Sequence, residues 1–179
     1  MGFNNLGAKN IVDRISSNKQ IGLLGINIGP NKDTNDRLKD YVECLKTFHE
    51  FADYITINIS SPNTEELRNF HDQEKLNSLL NIINSEKTKL NSKIPIVVKV
   101  SPDIKDQEIP KISDVLLSNN IKAVILSNTS DSTRDKLNDI QKHQKGGLSG
   151  KPIEEKSTML INKFYNCLLY TSPSPRDLS

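Results

Sequence analysis

The stretch Tyr54-Ile55-Thr56-Ile57-Asn58-Ile59-Ser60-Ser61-Pro62-Asn63-Thr64 joins an apolar run to a cluster of small polar residues. Its isoleucine-rich half predicts a buried β-strand. Pro62 has no N–H to donate to a neighbouring strand, so the chain must turn at that point. The polar side chains then converge in a small volume, where they need a polar ligand or one another as partners. By composition alone, the cluster is more typical of an ordinary turn.

Three further apolar runs end in polar or glycine-rich residues, and one of them contains a lysine, Lys99. Runs of this length that are rich in Ile and Val are typical of a parallel sheet buried on both faces. The runs and their ends are Ile21 to Ile28 with Gly29-Pro30-Asn31-Lys32, Ile94 to Val100 with Ser101-Pro102-Asp103, and Ile121 to Leu126 with Ser127-Asn128-Thr129.

Helical periodicity fills the intervals between these runs, and a further helix is predicted from Ile153 to about Phe164. The alternation predicts an α/β fold with parallel strands near residues 21–28, 54–59, 94–100 and 121–128, adjacent in that order, and helices on one face. The functional site is then expected at the carboxyl edge of the sheet. The residues that share helical faces are Leu38, Tyr41, Val42, Leu45, Phe48 and Ala52, then Leu76, Leu79, Leu80 and Ile83, then Ile109, Ile112, Val115 and Leu116.

The composition excludes several classes of function. A formal net charge of +2 over 179 residues predicts no nucleic-acid partner. No apolar run approaches the ~20 residues that a membrane-spanning helix needs. Cys44 and Cys167 give neither a disulfide framework nor a metal site. His49, His71 and His143 show no ligand spacing and are expected on the solvated surface.

Six motifs in this order resemble the dihydroorotate dehydrogenase family, and in particular its quinone-dependent, membrane-associated class. They are FNNLG, GINIGPNKDT, INISSPNTEELR, PIVVKVSPD, SNT and GGLSGKP. Six ordered motifs at family-like spacing are far more specific than any one of them. The resemblance extends from Met1 to about Tyr165. It implies an FMN-containing TIM (β/α)₈ barrel that oxidises dihydroorotate to orotate in pyrimidine synthesis and passes electrons to a quinone.

The resemblance also implies roles for single residues. Ser61 corresponds to the base that removes a proton from dihydroorotate, and Thr64 and Phe3 correspond to its proton path. A serine is a weak base, so it needs such a relay. The implied FMN-binding residues are Asn27, Asn58, Lys99, Ser127 and Gly150. The implied substrate-binding residues are Asn58, Asn63, Asn128, Thr129 and Phe3.

The length predicts only part of such a barrel, because a TIM barrel usually takes ~250 residues. Residues 1–166 are interpreted as a partial barrel of four strand–helix units. Cys167 to Ser179 resembles translated sequencing-adapter DNA, and helical periodicity is expected to stop just before it. The family's substrate lysine, FMN phosphate site and amino-terminal quinone tunnel have no counterpart here. The isolated chain is therefore predicted to be inactive, and either soluble or aggregated.

Two alternatives stay open at this point. The chain could be a non-catalytic half-barrel module, which would end in a native helix cap. It could also belong to another flavin-binding barrel oxidoreductase, which would need a different polar set after the second strand. For the parent enzyme, the resemblance implies peripheral association with a bacterial inner membrane, at its cytoplasmic face, or with the mitochondrial inner membrane, through the missing amino-terminal segment.

Overall fold

The computed structural model describes residues 5–18, 21–31, 33–61, 67–132, 134, 137–144 and 146–171, with side chains as far as residue 168 in the last range. Strands and helices alternate along most of this chain. They are α1 (Ala8–Ser17), β1 (Gly25–Ile28), α2 (Arg37–Phe48), β2 (Tyr54–Asn58), α3 (Gln73–Lys89), β3 (Ile96–Lys99), α4 (Ile109–Ser118), β4 (Ala123–Ile125) and α5 (Glu154–Thr171). Short 3₁₀ helices lie at Leu67–His71, Asp106–Glu108 and Lys151–Ile153.

The four strands form one parallel sheet in the order β1-β2-β3-β4. This order confirms the predicted architecture. The register places Ile55 beside Ile26 on one side and beside Ile96 on the other. Because a helix connects each strand to the next, all carboxyl ends of the strands meet at one edge.

The sheet has two different faces. Alternate strand residues, including Ile57 and Val98, pack against the helices in a continuous core. The predicted apolar positions of α3 and α4 are buried in that core, as are Tyr41, Leu45 and Phe48 of α2. Full burial of each large apolar side chain contributes about 1.5–3 kcal/mol. The opposite face carries the other alternate residues, which include Asn27, Thr56, Asn58, Val97 and Lys99.

The first and last strands are shorter than the sequence predicts. β1 begins at Gly25, and the preceding Ile21 and Leu23 are 90% and 86% exposed. Gly22 has a φ of 85°, which takes the backbone out of the extended conformation before the sheet begins. β4 covers only three residues, from Ala123 to Ile125. Each of these strands pairs with a single neighbour in the described part of the chain.

Two helices differ from the predictions. α5 continues to Thr171, so the expectation that helical structure stops before Cys167 is wrong. Leu160, Phe164 and Cys167 follow the spacing of one helical face, and all three contact the core. α1 was not predicted from the sequence. None of its residues is fully buried, although Ala8, Ile11 and Val12 pack against the edge of the core.

No helix in the described ranges is long and apolar enough to cross a membrane.

Candidate active site

Two polar residues end the central strands side by side. Asn58 is the last residue of β2 and Lys99 the last of β3, and the two are paired in the sheet register. The N–H of Ile59 donates to the carbonyl of Lys99 at 3.2 Å. Beyond β4, the N–H of Asn128 donates to the carbonyl of Val100 at 3.0 Å. The polar ends of three strands therefore lie at one edge of the sheet.

A buried chain of hydrogen bonds connects two of these ends. The amide Nδ2 of Asn128 donates to Ser60 Oγ at 3.0 Å, and Ser60 Oγ donates to Asn58 Oδ1 at 2.7 Å. The backbone N–H of Ser60 also donates to Asn58 Oδ1, at 3.1 Å. Asn58 is 5% exposed and Ser60 is fully buried. The bridging hydroxyl fixes both amide groups, because rotating either one would leave a buried polar atom without a partner.

Helix α2 supports this chain from the other face of the sheet. The hydroxyl of Tyr41 donates to the backbone carbonyl of Asn58 at 2.7 Å. Burial raises the pKa of the Tyr41 hydroxyl, so the group stays neutral and remains a donor. Tyr41 thereby holds the backbone at the point where β2 ends.

A cleft opens beside this edge of the sheet. Its volume of about 770 Å³ lies within the usual range of small-molecule pockets, ~300–1,000 Å³. The hydroxyl of Ser127 donates to the Asn128 carbonyl at 3.1 Å, and Thr129 N–H donates to Asn128 Oδ1 at 2.8 Å. Five predicted site residues line the cleft: Lys99, Ser127, Asn128, Thr129 and Gly150.

Lys99 brings a positive charge to the cleft. The side chain is half-buried, and no carboxylate within the described ranges forms an ion pair with it. A half-buried ammonium group in such a position favours a ligand that carries negative charge.

Two glycines shape the cleft for different reasons. Gly150 has a φ of 76°, and a Cβ built on it would meet no atom within 4 Å. The position therefore requires glycine for its backbone and leaves open space above it. A Cβ on Gly147 would lie 1.8 Å from Oγ1 of Thr129. Gly147 thus permits close packing against Thr129.

Other predicted site residues lie apart from this cleft. Asn27 is exposed, pairs in the register with Thr56, two residues before Asn58, and lines a separate cleft with Asn5 and Gly29. Ser61 is 8% exposed and follows the end of β2 by three residues, at the same edge of the sheet as Lys99. Phe3, Asn63 and Thr64 lie outside the described residues.

Comparison with known proteins decides the family. The family model for dihydroorotate dehydrogenase matches residues 1–171. The chain belongs to the dihydroorotate dehydrogenase family.

Relatives within the family match at high coverage of this chain. The dihydroorotate dehydrogenase (quinone) of Wigglesworthia glossinidia brevipalpis is 45% identical over 170 residues, which cover 91% of this chain and 50% of that protein. The protein of the same name from Vibrio parahaemolyticus is 41% identical, over 94% of this chain and 52% of its own length. The chain therefore spans about half the length of these curated relatives.

A solved structure shows the same partial coverage. Ligand-free dihydroorotate dehydrogenase from Eimeria tenella superposes with a TM-score of 0.87 at 32% identity, over 94% of this chain and 54% of the other. The structure of that enzyme in complex with ferulenol gives a TM-score of 0.88 at 31% identity, over 94% and 52% of the two chains. The parallel strand–helix units described above are accordingly part of a dihydroorotate dehydrogenase TIM barrel.

One charged cluster in this family member has no role in the sequence-based prediction. We call it the Asp103 hub, and its members are Arg68, Asp103, Ser130, Asp131, Ser132 and Lys156. Oδ1 of Asp103 accepts from the hydroxyls of Ser130 at 2.6 Å and Ser132 at 2.7 Å, and from the ammonium group of Lys156. Its Oδ2 lies 3.1 Å from Nη2 of Arg68. The only sequence signal was a lone carboxylate after the third strand.

The hub determines the ionisation of its central carboxyl. Burial by itself raises the pKa of Asp103, but hydrogen bonds from Lys156, Ser130 and Ser132 outweigh burial. The net effect is a pKa well below the usual range of an aspartate. Asp103 is therefore a carboxylate throughout the physiological range of pH.

His71 also differs from its prediction. It is 7% exposed at the end of the 3₁₀ helix Leu67–His71, so the expectation of a solvated surface position is wrong. Burial lowers the pKa of His71 to about 4, with a further contribution from the guanidinium of Arg68. Its Nε2 accepts a long hydrogen bond of 3.5 Å from the N–H of Ser101. The side chain is thus neutral at pH 7 and acts as an acceptor next to the hub.

Proposed function

We propose that this chain is part of an FMN-dependent, quinone-reducing dihydroorotate dehydrogenase that oxidises dihydroorotate to orotate in pyrimidine synthesis. Family membership suggests this function, and the structural observation that carries the proposal is the row of polar residues at the strand ends. Asn58, Lys99 and Asn128 lie at one carboxyl edge, and two of them are joined through Ser60. This edge is where (β/α)₈ barrels bind substrates.

The cleft suits a flavin. Lys99 offers a positive charge without a carboxylate partner in the described ranges, and Gly150 leaves open space where a side chain would obstruct a flat ring. Amides and hydroxyls line the rest, and they can both donate to and accept from ring heteroatoms. Lys99, Ser127 and Gly150 of this cleft would hold FMN together with Asn58 at the same edge of the sheet and Asn27 from the neighbouring strand β1. When bound, FMN supplies the hydride acceptor, which no amino-acid side chain can replace.

Ser61 would remove the proton from the dihydroorotate ring. Its burial beyond the end of β2 excludes bulk water, which would otherwise compete for that proton. A serine hydroxyl must pass its own proton onward, and Thr64 and Phe3 are proposed to border that path. Lys99 would stabilise negative charge that develops next to it during the reaction.

Neutral side chains would orient the substrate. Dihydroorotate presents a carboxylate and ring amide groups, which the amides and hydroxyls of Asn58, Asn63, Asn128 and Thr129 would bind, and Phe3 is proposed to enclose the substrate. Oδ1 of Asn58 already accepts from Ser60, which leaves the Asn58 amide N–H to donate to a ligand. Oδ1 of Asn128 is likewise engaged by the N–H of Thr129. Both side chains are therefore oriented as donors before a ligand binds.

The quinone acceptor proposed for the complete protein rests on the names of its relatives, and the proposed membrane association rests on the resemblance to the membrane-associated class of the family. Both curated relatives described above are named dihydroorotate dehydrogenase (quinone). We propose the same electron acceptor here, with peripheral attachment to the membrane through a segment outside this sequence.

The test is an assay of the complete protein that contains this segment. We expect a yellow protein that reduces a quinone when dihydroorotate is added. Lys99→Met should slow flavin reduction by at least about tenfold, because an electrostatic contact to developing charge is lost. Lys122→Met is the matched control, since Lys122 is an exposed lysine next to the amino end of β4. A colourless, inactive protein would contradict the proposal, and so would equal rates for the two variants.

A further inference from the structure

The Asp103 hub connects four parts of the chain that are distant in sequence. Asp103 lies in the loop after β3, Arg68 in the 3₁₀ helix Leu67–His71, and Lys156 in α5. Ser130 and Ser132 come from the segment after β4. All of them meet on one carboxylate, which receives hydrogen bonds or ion pairs on both oxygens. Such an arrangement fixes the position of each contributing segment.

The segment after β4 is the one that the hub holds most closely. The backbone N–H of Asp131 donates to Oδ2 of Asp103 at 3.1 Å, in addition to the two serine hydroxyls. Ser130 is fully buried and exchanges two backbone hydrogen bonds with Leu148, of 2.9 and 2.6 Å. The residue before Leu148 is Gly147, which packs directly against the side chain of Thr129. A displacement of Ser130 would therefore move Thr129 in two ways: directly through the peptide bond that joins them, and indirectly through Leu148 and Gly147.

The charges of the hub are balanced. Asp103 and Asp131 face Arg68, whose Nη1 donates to Oδ1 of Asp131 at 2.7 Å, and Asp103 also pairs with Lys156. The remaining titratable neighbour, His71, is neutral at pH 7 because burial lowers its pKa. Two carboxylates thus meet two cations. The hub leaves no net charge with which to bind an ionic ligand of its own, so its effect is on geometry.

We propose that Asp103 is a positioning residue that orients Asn128 and Thr129 for the substrate. The proposal rests on the proposed function, because it takes Thr129 as a substrate contact. Asp103 does not line the cleft that contains Asn128 and Thr129. It acts by anchoring Ser130 and Ser132, so that Asn128 and Thr129, which precede Ser130, face the cleft in one conformation.

The experiment measures orotate binding to the complete flavoprotein by calorimetry, alongside the rate of flavin reduction by dihydroorotate. Asp103→Ala should weaken orotate binding on the order of tenfold, because it removes the acceptor of three donors in the segment after β4, the hydroxyls of Ser130 and Ser132 and the N–H of Asp131. Asp103→Asn should fall between the wild type and Asp103→Ala, since it keeps one acceptor oxygen. Asp106→Asn is the matched control: Asp106 is exposed, precedes α4 and pairs with another lysine of α5, Lys163, at 2.6 Å.

A double-mutant cycle separates positioning from general stabilisation. In a Thr129→Ala background, Asp103→Ala should have much less effect on orotate binding than in the wild type, because the residue through which it acts is gone. Should Asp103→Ala fail to fold, Ser132→Ala replaces it in the cycle. This change removes one hydroxyl donor without exposing a buried charge, and we expect a severalfold loss with the same dependence on Thr129.

The proposal is overturned if Asp103→Asn and Ser132→Ala bind orotate like Asp106→Asn, or if their effects add to that of Thr129→Ala. A different pattern would overturn the proposed function and this inference with it: a wild-type protein that does not oxidise dihydroorotate, or a Thr129→Ala variant whose orotate affinity is unchanged. The failures of the two proposals are thus distinguishable.

Discussion

At the scale of single residues, the site depends on hydroxyl groups that hold amides in place. Ser60 is the clearest case, because its hydroxyl connects the side chains of Asn58 and Asn128 while it is fully buried. The sequence analysis assigned a role to Ser61 through the family resemblance and none to Ser60. In the structure, Ser60 is committed to this chain of hydrogen bonds, whereas Ser61 is the residue proposed to act on substrate.

Ser60→Ala should therefore lower both stability and affinity. Loss of the bridging hydroxyl leaves Asn128 Nδ2 without its acceptor and should reduce the free energy of unfolding by about 1–2 kcal/mol. We also expect severalfold weaker orotate binding to the complete protein, because the Asn128 amide can then rotate. Denaturant titration and calorimetry measure the two effects.

Ser113→Ala is the control for this prediction. Ser113 is also buried, and its hydroxyl donates to the carbonyl of Ile109 at 2.9 Å within α4. The Ser113→Ala variant should lose stability and keep the wild-type affinity for orotate. Unchanged affinity in Ser60→Ala would show that the hydrogen-bonded chain does not orient the site.

At the scale of secondary-structure elements, the connections after the strands carry the site, and the helices hold those connections in place. Asp36 and Asp72 begin α2 and α3 by accepting from the N–H groups of Lys39 and Lys75, at 3.0 and 3.1 Å. The 3₁₀ helix Leu67–His71 lies next to the Asp103 hub and ends in the buried His71. Because this imidazole is buried in its neutral form, the stability of the folded chain depends on pH through His71.

Stability should fall on acidification because of His71. Its pKa is lowered from 6.5 to about 4 in the folded state, so the unfolded chain binds the proton first as pH decreases. The contribution is fully present above pH ~6.5 and is lost between that pH and about 4, with a slope approaching ~1.4 kcal/mol per pH unit. His71→Gln should remove this part of the pH dependence, as measured by denaturant titration from pH 7.5 to 4.

The comparison for His71→Gln is His143→Gln, which alters an exposed histidine. That variant should keep the wild-type dependence of stability on pH. If His71→Gln also kept it, the loss of stability in acid would have another source.

The elements differ in how far the sequence predicted them. The central strands and the helices between them were predictable, because a long apolar run or a 3.6-residue period is a local signal that burial reinforces. The ends of β1 and β4 were not predictable. Each of these strands pairs with one neighbour in the described residues, so its length depends on how the adjacent loops leave the sheet. Gly22 is a local signal for the start of β1 that could have been used.

The candidate site was predictable in its location and less so in its internal contacts. Of the residues that the family motifs indicated, Lys99, Ser127, Asn128, Thr129 and Gly150 line one cleft, whereas Asn27 lines another. The contacts of Asp103 with Arg68 and Lys156 join residues 35 and 53 positions apart in sequence, so no local pattern could reveal them. The burial of His71 depends on the same tertiary contacts.

At the scale of the whole molecule, the sheet has two strands with one neighbour each within the described residues. Apolar side chains are exposed near the first of them, with Leu6, Ile21 and Leu23 each more than 80% exposed. Exposed strand edges and apolar surface favour association with other chains. The superposed Eimeria tenella enzyme is about twice as long as the matched region.

We therefore expect the 179-residue chain on its own to associate or precipitate, without tight FMN binding or oxidation of dihydroorotate. The reasons are that β1 and β4 each have a single neighbour within the described residues and that the chain spans about half the length of its relatives. Flavin fluorescence titration, size-exclusion chromatography and a dihydroorotate assay measure these properties. A monomeric yellow protein that turned over dihydroorotate would contradict this prediction.

We propose that this chain carries the proton-abstracting side of a dihydroorotate dehydrogenase site, with Ser61 as the base. Anaerobic stopped-flow spectroscopy on the complete protein tests it most directly, by following flavin reduction after mixing with dihydroorotate. Ser61→Ala should slow reduction by about 100-fold or more and change orotate affinity little, because a base acts in the transition state. Ser118→Ala, at the end of α4, should behave like the wild type. A wild-type rate of flavin reduction in Ser61→Ala would contradict the account.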